Sequence, residues 1–190
     1  MNGQLIDILA TDTTVTAQIN SFSGHIPALD LAVSWLSGAG PYVMVGLIVT
    51  KWWAGKETRD VQRHLAIRSG LATSLGIVLN QLILLFVHRG RPYDSGITHL
   101  IIAPSSDPSF PSDHATVAFA IAVTLLLQRD KWWSSFLLLA ILVSISRVYI
   151  GTHFISDVVG GALIGVFAAG VIAKYYPPSH KFFKRLVRIA

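Results

Sequence analysis

Long apolar stretches alternate with short polar ones along this chain, and the apolar stretches set the element prediction. A bilayer core takes about 20 apolar residues as helix. Residues 31–50, between Asp30 and Lys51, and residues 69–87, between Arg68 and His88, reach that length without a Lys, Arg, Asp or Glu. Three further runs, 115–128, 132–146 and 158–173, are somewhat short and must borrow polar residues at one end. Those polar ends are Pro111 to His114, Arg147, and His153 to Asp157. The pattern predicts an all-α fold, a polytopic membrane helical bundle with five or six transmembrane helices. The higher number follows if Leu36-Ser-Gly-Ala-Gly-Pro41 breaks the first span into an interfacial piece and a shorter helix. Upstream, Leu5, Ile8, Leu9, Val15 and Ile19 partly follow helical spacing with Asp7 and Asp12 between them, which suits a helix lying at the interface. No Lys or Arg occurs in the first 29 residues, so the basic region of a signal peptide is lacking. With no repeat or linker, residues 1–190 read as a single integral membrane domain, 1–28 being the interfacial segment and 177–190 a basic cytoplasmic tail.

Composition agrees with this picture. Of 190 residues, 52% are apolar and 13% charged, and the mean hydropathy is +0.56, whereas soluble domains carry about 25% charge. Disorder, collagen and an ordinary cytosolic globule are excluded. The absence of Cys removes disulfide and thiolate chemistry. The net charge of +5 would suit nucleic acid, but its distribution points to topology, because Lys and Arg of short loops collect on the cytoplasmic side. With five spans, Lys51, Lys56, Arg59, Arg63, Arg68, Arg129, Lys131, Lys174, Lys181, Lys184, Arg185 and Arg188 all fall on one side. Only Arg89, Arg91 and Arg147 fall on the other. Trp52, Trp53, Trp132 and Trp133 sit at the basic ends, as an aromatic belt would.

The three outlying arginines lie beside the only polar constellation that a bare membrane scaffold would not need. His88-Arg-Gly-Arg-Pro92, Pro111-Ser-Asp-His114, and Ser146-Arg147 with His153 and Asp157 all map to the outer face. Arginine forks match phosphate oxygens, and a helix N-terminus adds free N–H groups for an anion. Arg91, Arg147, Ser112 and the N–H groups opening the run at 115 can thus converge on one phosphate. His153 and Asp157 stand four apart on one helix face, so the carboxylate can keep one imidazole nitrogen protonated and leave the other free to attack. His114 can then protonate the leaving oxygen. This chemistry is phosphoryl transfer through a phosphohistidine, with arginines supplying charge stabilisation and no metal or cofactor required. Gly161 and Gly165 continue the face below Asp157 in a small-xxx-small pattern that permits close packing, and Ala140 and Ser144 lie below Arg147. His25, His64, His99 and His180 read as interfacial or loop residues, Asp94 and Asp107 as solvated loop acids, and Lys181 to Arg188 as a lipid-headgroup patch.

Ser146-Arg147, five residues, His153, three residues and Asp157 resembles in full the third signature of the type 2 phosphatidic acid phosphatase superfamily. Pro111-Ser112-Asp113-His114 resembles its second, Pro-Ser-Gly-His, and Arg91-Pro92 the end of its first, Lys-x6-Arg-Pro. Asp113, with Gly24-His25, Leu29-Asp30 and Gly40-Pro41-Tyr42 upstream, is most similar to the bacitracin-resistance type of undecaprenyl pyrophosphate phosphatase. The resemblance implies His153 as nucleophile, Asp157 as its partner, His114 as general acid, and Arg91, Ser112 and Arg147 as phosphate ligands, without metal. Two positions depart from the pattern. Leu84 stands where the first signature has Lys, and Arg89 is the expected replacement, ahead of His88 and Gln81. Asp113 places a carboxylate at the phosphate site and is expected to raise the pKa of His114.

The implied activity is hydrolysis of undecaprenyl pyrophosphate at the extracytoplasmic face of the plasma membrane, serving cell-wall lipid recycling and bacitracin resistance. The partners are a polyprenyl or glycerolipid phosphate and the membrane, with no nucleic acid. Phosphatidylglycerol phosphate, phosphatidic acid and diacylglycerol pyrophosphate remain as other substrates, and a silent lipid-phosphate binder or transporter as another class.

Overall fold

A computed structural model describes residues 2–53 and 59–177. Six helices follow one another: α1 (Asn2–Asn20), α2 (Pro27–Thr50), α3 (Arg59–Leu84), α4 (Asp113–Leu127), α5 (Trp133–Tyr149) and α6 (Ile155–Tyr175). Among the described residues there is no strand, so the all-α expectation holds. The helices α2, α3 and α6 are long and apolar enough to cross a membrane, while α4 and α5 are shorter apolar helices of 15 and 17 residues. Lys56, His180 and the basic tail from residue 178 lie outside the described residues.

The first span does not break. Helix α2 continues through Pro41, although proline cannot donate to the carbonyl one turn earlier. The small residues expected to interrupt it make a contact instead. A Cβ on Gly40 would stand 2.5 Å from Cγ2 of Val143, so α2 lies against α5 there, and Ser37 is buried in the same contact. The second span starts earlier than its charge-free stretch, at Arg59, because the polar residues before residue 69 find partners inside the bundle. Arg68 is buried and donates from Nη2 to the Ala173 carbonyl at 3.0 Å, satisfying one of the open acceptors in the last turns of α6.

Helix α4 is the hub, packed on α3, α5 and α6. Its buried face is made of small residues, Ala115, Ala118, Ala120 and Ala122, with Ile121 and Leu125. Opposite it on α6, a Cβ on Gly165 would meet the Thr116 carbonyl at 2.5 Å and the Ala120 nitrogen at 2.8 Å. A Cβ on Gly161 would run into the Ser112 carbonyl. The two backbones therefore touch, which is how helices associate where lipid removes the hydrophobic drive between them. Large apolar side chains face the other way: Val78 and Leu82 of α3, Leu138 and Ile145 of α5, and Leu163 and Phe167 of α6 are exposed. Small residues inside and bulky apolar residues outside suit a surface in contact with lipid tails.

Charge divides between the two ends. At one, Lys51 pairs with Asp130 at 2.9 Å, Gln62 adds a bond to the same carboxylate, and Arg63 lies 5.1 Å over the Trp52 ring. At the other are Arg89, Arg91 and Arg147, and α1 packs there against α5 and α6. The α4–α6 contact yields a direct test. Gly165→Val should lower the thermal midpoint in detergent by an amount matching overpacking, about 1–3 kcal/mol or more. Gly170→Ala, with open space around its Cβ, should be neutral or stabilising by up to about 1 kcal/mol.

Candidate active site

The polar end closes around a cavity of about 280 Å³ lined by Arg91, Asp107, Asp113, His114, Arg147 and His153 together with Gln81, Leu84, Ser105, Pro108 and Pro111. Five chain segments meet there: the end of α3, the 85–112 loop, the start of α4, the end of α5 and the loop into α6. The close α4–α6 approach brings their N-termini together, and the Ser112 N–H donates to the Asp157 carbonyl at 3.1 Å.

Asp157 sits in the first turn of α6 with no exposed surface. Its carboxylate accepts from Ser109 Oγ at 2.5 Å, from the Phe154 N–H at 2.8 Å and from Arg89 Nη1 at 2.7 Å. His153 Nδ1 lies 3.7 Å from it, too far for a hydrogen bond, and donates instead to the Ser109 carbonyl at 2.8 Å. A carbonyl can only accept, so this contact requires the proton on Nδ1 and leaves the lone pair on Nε2. The group that orients the ring is thus the Ser109 carbonyl and not the Asp157 carboxylate that the i, i+4 spacing suggested, and Asp157 acts on the ring through its charge. Ser109 immediately precedes the Phe110-Pro111-Ser112 turn, and nothing in its residue type announces the role.

The arginines facing the cavity are held from behind. Arg91 donates from Nε to the Asp107 carbonyl at 2.8 Å and from Nη1 to the Thr152 carbonyl at 3.0 Å. Arg147 donates from Nη1 to Ser37 Oγ at 2.8 Å, and its Nε is buried without a partner among the described residues. Backbone carbonyls and a hydroxyl orient both guanidiniums without neutralising them, which leaves their charge for an anion in the cavity.

Several expected residues take other positions. Ser112 is fully buried and absent from the cavity lining; its Oγ has no partner among the described residues. Asp113 lines the cavity, and its Oδ1 accepts from Asn80 Nδ2 at 2.6 Å, a buried amide of α3 that also donates to Thr116 Oγ1 at 2.9 Å. The Asp113 carboxylate, expected to act on His114, is thus held by an amide of α3. Arg89 also departs from expectation. It does not line the cavity but binds Asp12, Ser156 and Asp157, so it does not stand in for the missing lysine. Gln81 and Leu84 occupy that wall, and His88 is not part of it. Asp107, expected as a solvated loop acid, belongs to the lining. Among the described residues no cluster of His, Asp, Glu or Cys has a metal-ligating arrangement, and the positive charge at the cavity is guanidinium.

The profile of the PAP2 superfamily matches residues 65–181, more than half of the chain. The chain belongs to the PAP2 superfamily. It is a membrane lipid phosphatase, a hydrolase of phosphate esters or anhydrides. Among curated PAP2 relatives it is similar to undecaprenyl-diphosphatase BcrC of Bacillus subtilis (strain 168), 28% identical over 90% of this chain and 87% of that one. It is also similar to the putative undecaprenyl-diphosphatase YbjG of Escherichia coli (strain K12), at 33% identity over 74% and 70% of the two chains. Among solved PAP2 structures, LpxE of Aquifex aeolicus superposes with a TM-score of 0.68 at 28% identity, covering 85% of this chain and 94% of that one.

Two outcomes follow from this PAP2 site. Ser109→Ala removes the hydroxyl on Asp157 but keeps the carbonyl on His153. Hydrogen bonds to charged groups contribute about 1.5–3 kcal/mol, so kcat should fall by about tenfold or more in protein that still folds. Burial pushes the His153 imidazole below its ordinary value of 6.5; Asp157 opposes this, and Arg147 and Arg91 reinforce it. A lowered pKa keeps the ring neutral as the solution acidifies. The acid limb of kcat/KM, which reports the protein before substrate binds, should therefore lie below pH 6.5, and a profile already falling at higher pH would contradict this.

Proposed function

We propose that this PAP2 phosphatase hydrolyses undecaprenyl pyrophosphate to undecaprenyl phosphate and inorganic phosphate through a phosphohistidine on His153. The observation that carries the reading is that His114, His153, Arg91 and Arg147 line one small cavity whose wall is shared with an apolar groove. That groove, about 330 Å³, lies between α2, α3 and α4 and is lined by Pro41, Tyr42, Val45, Thr73, Ile77 and Val117, with Asp113 and His114 at its inner end. A headgroup in the cavity would thus extend its chain into an apolar groove at lipid level. The kinship to two undecaprenyl-diphosphatases supports the choice of lipid.

In this reaction the Nε2 lone pair of His153 forms a bond to the terminal phosphorus. The P–O bond to the polyprenyl phosphate breaks, its electron pair stays with the leaving oxygen, and His114 supplies the proton. Arg91 and Arg147 bind the non-bridging oxygens as charge builds on them, and the opening N–H groups of α4 add donors. Asp157 stabilises the charge gained by the His153 ring. A water that gives its proton to His114 then attacks the phosphohistidine, releasing phosphate and restoring both histidines. Asp113, held by Asn80, is the remaining charged group facing the headgroup and bears on which phosphate is accepted.

The distribution of Lys and Arg supports an orientation with this end of the bundle outside the cytoplasm, on the outer side of a plasma membrane. There it meets the carrier lipid left after wall polymers are made. Bacitracin binds the same lipid, so hydrolysis competes with the antibiotic and confers resistance.

Purified full-length protein should release phosphate from undecaprenyl pyrophosphate in EDTA, and His153→Ala should abolish release. Relative kcat/KM should rank undecaprenyl pyrophosphate above undecaprenyl phosphate and phosphatidylglycerol phosphate. A reversed ranking would make it a glycerolipid phosphatase, and no release from any lipid phosphate would leave a binder or transporter.

A further inference from the structure

Helix α1 carries a polar stripe, Asp12, Thr16 and Asn20, spaced one helical turn apart and buried against the catalytic end of the bundle. Asn20 donates from Nδ2 to the His99 and Tyr149 carbonyls at 2.9 and 2.7 Å and accepts the His99 N–H at 2.7 Å. Thr16 Oγ1 accepts the Ile155 N–H at 3.0 Å, and Asp12 Oδ1 accepts the Ser156 N–H at 2.9 Å. Two open donors at the α6 N-terminus are thereby capped by a separate helix. The other oxygen of Asp12 accepts from Arg89 Nη2 and from Ser156 Oγ, both at 2.6 Å. Arg89, 26% exposed, reaches with Nη1 to Ser156 Oγ at 2.6 Å and Asp157 at 2.7 Å, and its guanidinium carbon lies 3.8 Å over the Phe154 ring.

We infer that α1 is a working part of the catalytic end, in which Asp12 and Arg89 act as positioning residues for Asp157 and, through it, for His153. The argument is one of charge as well as geometry. Arg89 alone beside Asp157 would hold the carboxylate in place but cancel the field it exerts on the imidazole. With Asp12 on the far side of Arg89, the group of three keeps one net negative charge next to a ring that gains positive charge when its Nε2 bonds to phosphorus. The guanidinium fork fixes all three groups, which a lysine point charge at Arg89 would do less well. Neither Asp12 nor Arg89 lines the cavity, so both act at one remove from the phosphate.

This inference rests on the reading of His153 as nucleophile, and the test separates the two. Steady-state release of phosphate from undecaprenyl pyrophosphate is measured for full-length wild type, His153→Ala, Arg89→Gln, Arg89→Lys, Asp12→Asn, the Asp12→Asn/Arg89→Gln pair and Thr16→Val. Failure of wild type to release phosphate, or full activity of His153→Ala, overturns the underlying reading and this inference with it. Where wild type is active and His153→Ala is not, Arg89→Gln and Asp12→Asn should each lower kcat about 10- to 100-fold, the usual effect of losing a group that orients a reactive one. KM should stay within about threefold, since no ground-state contact is lost. The pair should fall no further than the worse single variant, because both break one unit. Arg89→Lys should recover part of the loss. Thr16→Val, which loosens α1 but leaves the ion pair intact, should keep kcat within about threefold of wild type. A raised KM at unchanged kcat in Arg89→Gln would make Arg89 a phosphate ligand. Equal losses in Thr16→Val and Asp12→Asn would make α1 merely structural, and either result overturns the proposal. Should Asp12→Asn fail to fold, Arg89→Gln and Arg89→Lys decide it by the same division between kcat and KM.

Discussion

A carboxylate with no exposed surface must have its charge answered by the protein, and Asp157 is such a group. Its partners come from two loops at the polar end: Arg89 and Ser109 from opposite ends of the 85–112 loop, and Phe154 from the turn into α6. Arg89 in turn recruits Asp12 from α1. Satisfying one buried charge therefore ties the N-terminal helix, the 85–112 loop and α6 into a single arrangement. The same arrangement fixes His153, because the residue that bonds Asp157 through its hydroxyl holds the imidazole through its carbonyl.

That arrangement requires the helices beneath it to be close. Thr116 and Ala120 of α4 meet Gly165 at backbone distance, and Ser112 meets Gly161. Contact at this range aligns the two N-termini, so that the Ser112 N–H reaches the Asp157 carbonyl and His114 shares a cavity with His153. Where lipid surrounds the bundle, such close van der Waals packing replaces the hydrophobic drive of a soluble core. The bulky residues displaced from the centre form the outer apolar surface. On the other flank, Gly40 lets α2 approach α5, and Ser37 on α2 steadies Arg147.

The cavity differs in its charges from the motif pattern that the chain otherwise follows. The wall that would carry a lysine carries Leu84 and Gln81, leaving Arg91 and Arg147 as the guanidiniums that face the cavity. Asp113 brings a carboxylate to the same space, steadied by an amide from the middle of α3. Fewer cations and an added acid make a less positive site. Beside it lies the apolar groove between α2, α3 and α4.

The all-helical class, the apolar helices and the separation of the described basic residues between two ends were legible in the sequence, as were His114, His153, Arg91 and Arg147, which the fold gathers around one cavity with Asp157 beside it. Hydropathy and charge are one-dimensional signals, and the motif spacings lie within single helix turns or tight loops. What depended on contacts between distant segments was not legible. Pro41 reads as a helix break, yet α2 runs on because α5 packs against it at Gly40. Asp12 reads as a polar interruption in an interfacial helix, yet it is a buried ion-pair partner of Arg89. Ser109 carries no motif at all. Arg89 had the right charge in the right loop for a phosphate ligand, but which anion a guanidinium meets depends on where its neighbours fold. Here a buried aspartate on each side claims it before any substrate can.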